Sequence, residues 1–297
     1  MQEMRVRANQ IELQVQEHGQ GDEAIIFLHF SGANLMMWQR IIPDFQDQYR
    51  MILVDLRGHG KSDKPPTGYH MDDMARDLLG VMGHLQLERA HIVGSSLGAE
   101  VGLSMAVNHP EKVISLVCDG ALSSEYGPYG KWEGSEAEFQ EHVARQLEKM
   151  RSSADTLYPS VDALVDARRQ VFQDIGWWNE YVEAVERYGA RKVNEGQYTA
   201  GFGRQAMASY MEHYFQYRFE DYYARVKCPL LMVPGEDVFE NEREQAAMEG
   251  LRALAEQGQI AQVPGWEHPY GWLLDPEEAS EAILRFLTGT AHAGPIG

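Results

Sequence analysis

Cysteine is scarce in this chain. Cys118 and Cys228 are the only two in 297 residues, and no CxxC pair or Cys/His metal spacing exists, so neither a disulfide scaffold nor a thiolate metal site is expected. Long hydrophobic runs are also missing. No apolar stretch approaches the roughly 20 residues of a membrane helix. Met1 to Leu13 holds Arg5 and Arg7 with no apolar h-region behind them, so no secretory signal is read and the expected compartment is the cytoplasm. Basic residues are outnumbered, 26 Lys and Arg against 45 Asp and Glu, for a formal charge of −19. Such a surface repels nucleic acid and anionic headgroups, which leaves a small, neutral or cationic molecule as the expected partner. No Walker loop occurs. Gly58-His59-Gly60 is no dinucleotide fingerprint, because Asp63 stands where its third glycine belongs. No cofactor and no metal are expected, and nothing in the sequence sets an oligomeric state.

What is present is an alternation. β-like runs recur at Ile11–Glu17, Ala24–His29, Arg50–Asp55, Ala90–Val93, Val113–Cys118, Pro229–Val233 and Gln259–Val263. The inner runs are almost wholly apolar, as strands of a parallel sheet covered on both faces must be. Helical spacing fills Met71–Leu85, Leu97–Asn108, Asn241–Gln257 and Pro276–Leu287. The pattern predicts an α/β fold with a doubly wound, mostly parallel sheet. On such a sheet the two cysteines would lie a strand length apart, roughly 17–20 Å, beyond the ~7 Å that a disulfide spans. Both are read as free thiols. The alternation stops between Leu122 and Val226, where no β-branched run occurs and the aromatics concentrate. The expected organisation is a core over 1–121 and 226–288, an inserted helical cap over 122–225, and a disordered tail over 289–297.

Gly94-Ser95-Ser96-Leu97-Gly98 follows the run Ala90–Val93 and opens the Leu97 helix. This is G-x-S-x-G in the strand–turn–helix setting that its chemistry needs. A tight turn holds the Ser96 hydroxyl out at a helix N-terminus, where backbone N–H groups favour a developing oxyanion. Side chains at 94 or 98 would strike the neighbouring strand and helix. Asp55-Leu56-Arg57-Gly58-His59-Gly60-Lys61-Ser62 resembles the D-x-R-G-x-G-x-S turn of the α/β-hydrolase superfamily. Gly265-Trp266-Glu267-His268-Pro269 resembles its late histidine loop. With the elbow, these motifs extend the resemblance over most of the chain, and the closest likeness is to cap-bearing bacterial esterases, perhydrolases and carbon–carbon hydrolases.

The resemblance implies roles. Ser96 is the expected nucleophile and His268 the general base, since an imidazole takes and returns a proton at neutral pH. Asp237, after the run Leu230–Val233, is the expected acid. The family spaces its glycine and aspartate one residue further apart than Gly235 and Asp237, so Asp119, after Val113–Cys118, is the rival, with Glu236 and Glu240 behind it. The oxyanion donors are expected at the backbone N–H groups of Ser31 and Leu97. Phe30 replaces a usual glycine of the first loop and is expected either to narrow the pocket or to fill the core. Trp132, Trp177, Trp178 and Tyr181 are the expected pocket rings. Serine rather than aspartate at the elbow implies an acyl electrophile, because an alkylated serine would be an ether that water does not cleave. The expected function is hydrolysis of a small hydrophobic carboxylic ester. A carbon–carbon hydrolase or perhydrolase, and a receptor that keeps a slow triad, are the alternatives.

Overall fold

The computed structural model describes residues 1–291. The chain opens with an antiparallel pair, β1 (Gln2–Ala8) and β2 (Ile11–His18), and continues through β3 (Glu23–Leu28), a 3-10 helix over Leu35–Ile41, α1 (Ile42–Phe45) and β4 (Tyr49–Val54). Next come α2 (Met71–His84), β5 (Ala90–Ser95), α3 (Leu97–Asn108) and β6 (Val113–Asp119). Then follow α4 (Glu136–Ser152), α5 (Val161–Asp174), α6 (Glu180–Gly189), β7 (Arg191–Asn194), β8 (Gln197–Thr199), α7 (Arg204–Tyr214) and α8 (Phe219–Tyr223). The chain returns to the sheet with β9 (Leu230–Met232), α9 (Glu236–Glu240), α10 (Glu242–Leu254), β10 (Gly258–Ile260), α11 (Gly271–Leu274) and α12 (Glu277–Ala291).

Eight strands form one sheet in the order β1-β2-β4-β3-β5-β6-β9-β10. β2 runs antiparallel to β1 and β4, and the remaining pairs are parallel. The apolar runs follow from burial on both faces. Ile26, Leu28, Ile52 and Val54 pack on one side with α2 and α3. Ile25, Phe27, Met51 and Leu53 pack on the other with Trp38, Phe45 and Ile283. Each fully buried aliphatic or aromatic side chain contributes roughly 1.5–3 kcal/mol, so this two-sided core dominates stability.

Three expectations are corrected. β1 carries no signal strong enough to read, because its residues QEMRVRA are charged and mostly exposed at the sheet edge. The last sheet strand is short, Gly258–Ile260 rather than the expected Gln259–Val263. The stretch 122–225 is not all helix, because β7 and β8 form a small antiparallel hairpin with Arg191 opposite Thr199. Its turn is Glu195-Gly196, with Gly196 at φ +70°, and its strands are too short and polar to show a period. At the C-terminus, Gly289–Ala291 complete α12, and the rest of the expected tail, 292–297, lies outside the described residues. Both cysteines are free.

The inserted segment is tied to the sheet by specific polar bonds. The Asn34 amide donates to the Val185 carbonyl at 2.8 Å, the Tyr188 hydroxyl to Asp55 at 3.1 Å, and the Asn179 amide to the Leu273 carbonyl at 2.7 Å. Among the described residues no helix is long and apolar enough to cross a membrane.

The packing of α3 onto the sheet is close enough to predict substitution effects. A Cβ at Gly98 would stand 2.1 Å from the Leu28 carbonyl oxygen, whereas one at Gly83, late in α2, meets nothing within 4 Å. Gly98→Ala should therefore destabilise by about 3 kcal/mol, and Gly83→Ala should stabilise by roughly 0.5–1 kcal/mol. Urea denaturation of the two variants checks both signs.

Candidate active site

Ser96 joins β5 to α3 with φ 49° and ψ −116°, a backbone that L-residues rarely adopt and that surrounding packing must enforce. Two glycines make the turn possible. A Cβ at Gly94 would lie 2.3 Å from the Gly98 carbonyl oxygen, and one at Gly98 would strike Leu28 at the end of β3. The Ser96 N–H donates to the Asp119 carbonyl oxygen at 2.5 Å, so the turn after β5 is pinned to the end of β6. The Ser96 side chain stays half-buried at the carboxyl edge of the sheet, at the start of α3.

Asp119 is where the strand ends converge. Its side chain is completely buried. Oδ1 accepts from His268 Nδ1 at 2.6 Å and from Trp266 Nε1 at 3.2 Å. Oδ2 accepts from Ser95 Oγ at 2.7 Å and from Trp272 Nε1 at 2.6 Å. Four donors satisfy a carboxylate that would otherwise be costly to bury. Burial alone would raise its pKa, but the His268 charge, with hydrogen bonds from His268, Ser95 and Trp272, holds it below the ordinary 3.8. Burial would also lower His268, yet the Asp119 carboxylate and its hydrogen bond outweigh that and hold the imidazole above 6.5. Lys131 opposes this rise and Asp237 adds to it.

The expectation that Asp237 pairs with His268 is therefore corrected. Asp237 lies in the first turn of α9, two residues after Gly235, and is exposed at the cavity rim. The short Gly235–Asp237 spacing starts α9 early and leaves the carboxylate outside, while Nδ1 of His268 turns to β6. Glu236 is likewise exposed on α9. A Cβ at Gly120 would stand 2.8 Å from Ser96 Cα and 3.1 Å from His268 Cε1, so the serine and the imidazole flank this glycine.

Ser96 and His268 share a cavity of about 110 Å³ that also reaches Glu100, Lys131, Tyr214 and Asp237. A second cavity of about 400 Å³ lies over the loop containing Phe30 and Ser31 and is walled by the inserted segment through Leu164, Arg168, Val182 and Met207. Leu97 opens α3 beside that loop, because β3 and β5 are neighbours with Leu28 opposite Gly94. Phe30 is largely buried, packs on Tyr270 at 5.1 Å between ring centroids and also lines this larger cavity.

The other expected pocket rings are placed elsewhere. Trp132 packs on Phe139 and His142, Trp177 on Tyr270, and Trp178 on Phe172. Tyr181 lies under the Arg40 guanidinium. None of the four lines either cavity, because these rings hold the helices of the segment together or dock it on the core. Sequence reasoning missed the donors Ser95, Trp266 and Trp272, and also Glu100. A signal for Glu100 existed, since it is the one charged residue in the helix LGAEVGLSMAVN. Among the described residues no group of three or more His, Cys, Asp or Glu could hold a metal ion.

The electrostatics predict an ordered pair of shifts. Asp119→Asn removes the group that raises the His268 pKa and should lower it markedly, whereas Asp237→Asn should lower it less. NMR titration of the His268 ring measures both, and equal shifts would contradict the assignment of Asp119 as its partner.

With this geometry in hand, the chain can be set beside known proteins. The sequence model for the alpha/beta hydrolase fold matches residues 23–237, more than half of the chain. A 3-oxoadipate enol-lactonase 2 of Acinetobacter baylyi is 39% identical over 111 residues, 37% of this chain and 42% of that protein. A 2-(acetamidomethylene)succinate hydrolase of Mesorhizobium japonicum is 32% identical over 184 residues, 62% of this chain and 53% of that protein. The chain thus spans about half the length, or less, of these curated relatives. The crystal structure of an E-2-(acetamidomethylene)succinate hydrolase superposes with a TM-score of 0.76 at 26% identity, covering 97% of this chain and 99% of that one. The chain belongs to the α/β-hydrolase fold family.

Proposed function

We propose that the protein is a serine hydrolase that cleaves a carboxylic ester of a small substrate through an acyl-enzyme. The observation that carries this reading is the convergence at one cavity of Ser96, on its strained turn, and His268, with Nδ1 bonded to the buried Asp119. In the proposed cycle the Ser96 oxygen attacks the ester carbonyl while His268 Nε2 takes its proton. Asp119 stays ionised, keeps Nδ1 protonated and stabilises the imidazolium. The backbone N–H groups of Leu97 and Ser31 receive the oxyanion. His268 then gives its proton to the departing alkoxide. Water, deprotonated by the same imidazole, releases the acid and restores Ser96.

The inserted segment acts as a cap in this reading, since it walls the larger cavity over the first loop. The relatives that match include hydrolases named for an enol-lactone and for a succinate derivative. Their acidic substrates are not carried over, because Asp237, Glu100 and Glu244 stand around the smaller cavity against one lysine, Lys131. A carbon–carbon hydrolase or perhydrolase would use the same three residues, so the substrate decides among them. We further propose that the protein works without cofactor or metal, that its partner is its small-molecule substrate, and that neither nucleic acid nor membrane is involved, in keeping with its net charge of −19.

Ser96→Ala should lose on the order of 10⁶ in turnover and all labelling by a fluorophosphonate probe. Asp119→Asn should lose about 10⁴ with the fold intact, and Asp237→Asn less than tenfold, by comparison with full loss of the orienting acid. A screen of short-chain aryl and alkyl esters supplies the assay. Labelling that persists in Ser96→Ala, or the reverse ranking of the two aspartates, would overturn the assignment.

A further inference from the structure

α3 holds a single acidic side chain, and it sits beside Ser96. Glu100 lies one helical turn beyond Ser96, with its N–H donating to the Ser96 carbonyl oxygen at 3.1 Å. The residue is 1% exposed. Oε1 accepts the Tyr210 hydroxyl at 2.7 Å, while Oε2 is buried with no hydrogen-bond partner. A buried carboxyl oxygen is normally satisfied, and an exception asks for a reason. Glu100 lines the cavity that Ser96 and His268 share, so the unsatisfied acid borders a space beside Ser96.

The charge around that cavity says what kind of partner. Asp237 reaches it from α9 and Glu244 from α10, and Tyr214 from α7 adds a hydroxyl that donates to Glu125 at 2.8 Å. The lysine of the lining, Lys131, already stands 3.9 Å from Glu244. Burial pushes the Glu100 carboxyl up to about 8, with the Tyr210 hydrogen bond opposing and the Glu125 charge adding to the rise. Tyr217, also near, has its own hydroxyl pushed up by burial and by Glu100. An anion entering here would meet acids on three elements, whereas a cation would find carboxyl groups on all three.

We propose that this cavity receives an ammonium group of the substrate with Glu100 Oε2 as its acceptor, so that Glu100 selects short basic acyl or alcohol groups over neutral or anionic ones of equal length. The proposal rests on the ester-hydrolase reading for turnover but not for binding. At neutral pH the carboxylic acid gives its proton to solvent as the ammonium docks on the carboxylate, so binding releases a proton.

The test is calorimetric titration of the whole protein at pH 7 with propylammonium, propanol and propionate, in two buffers of different ionisation heat. Propylammonium should bind with release of up to one proton, and propionate at least tenfold more weakly. Glu100→Gln keeps the shape and an acceptor for Tyr210. It should lose at least tenfold in propylammonium affinity together with the proton release. Absence of amine binding, equal binding of propionate, or unchanged binding and proton release in Glu100→Gln would overturn the proposal. If that variant fails to fold, the proton count and the amine–propionate ratio on the wild-type protein decide by themselves. Fluorophosphonate labelling of Ser96 in the same samples reads the nucleophile assignment separately. Labelling with no charge preference sinks the Glu100 proposal and leaves the hydrolase reading standing.

Discussion

The carboxylate of Asp119 accepts four hydrogen bonds, from Ser95, Trp266, His268 and Trp272, inside a fully buried pocket. Those donors come from the end of β5, from the loop after β10 and from α11, and the acceptor ends β6. An ion taken this far from water is tolerated only when every lone pair is engaged. The need to satisfy it therefore fixes the positions of three separate chain segments. The same residue binds the Ser96 N–H through its backbone carbonyl, so the turn at Ser96 is set by the residue that also holds the imidazole.

Around that anchor the elbow exploits glycine where backbone meets backbone. Gly94 and Gly98 permit contacts that any Cβ would break, and Gly120, at φ +118°, leaves room between Ser96 and His268. The positive φ of Ser96 is sustained by its N–H bond to the Asp119 carbonyl at the end of β6 and by the close packing of Gly98 on Leu28 at the end of β3. Rigid strand ends with loops above them are the usual place for chemistry in open α/β sheets. Behind the site Trp272 packs between Trp38 and Trp266 in tilted and edge-to-face contacts, at centroid distances of 5.0 and 4.8 Å, which hold the indole donors in place.

The inserted segment obeys a different logic. Directional polar bonds fasten it, Asn34 to Val185, Tyr188 to Asp55 and Tyr210 to Glu100, and buried Phe172, Val182, Phe202 and Phe219 add apolar contact with the core. One of these attachments lands on Glu100, a buried acid one turn from Ser96. Its aromatic residues serve mainly to assemble its own helices and dock them, which is why an aromatic count along the chain misplaces the pocket.

The fold class was legible along the chain, because doubly buried strands must read as apolar runs and a strained serine turn must be bracketed by glycine. The sequence also marked Ser96 and His268 through local motifs whose spacing is short enough to be seen along the chain. It pointed to Asp237 as the partner of His268 with Asp119 as the rival, because each follows a strand and burial cannot be read from local spacing. Folding separates the two, burying Asp119 under Trp266 and Trp272 and leaving Asp237 in the first turn of α9, in solvent. The edge strand Gln2–Ala8 and the hairpin at Arg191–Thr199 were illegible for the opposite reason: they are too exposed or too short to leave a hydrophobic period. Burial without a partner, as at Glu100 Oε2, exists only once the chain has folded, since it is a relation among α3, α7 and a cavity rather than a property of any one segment.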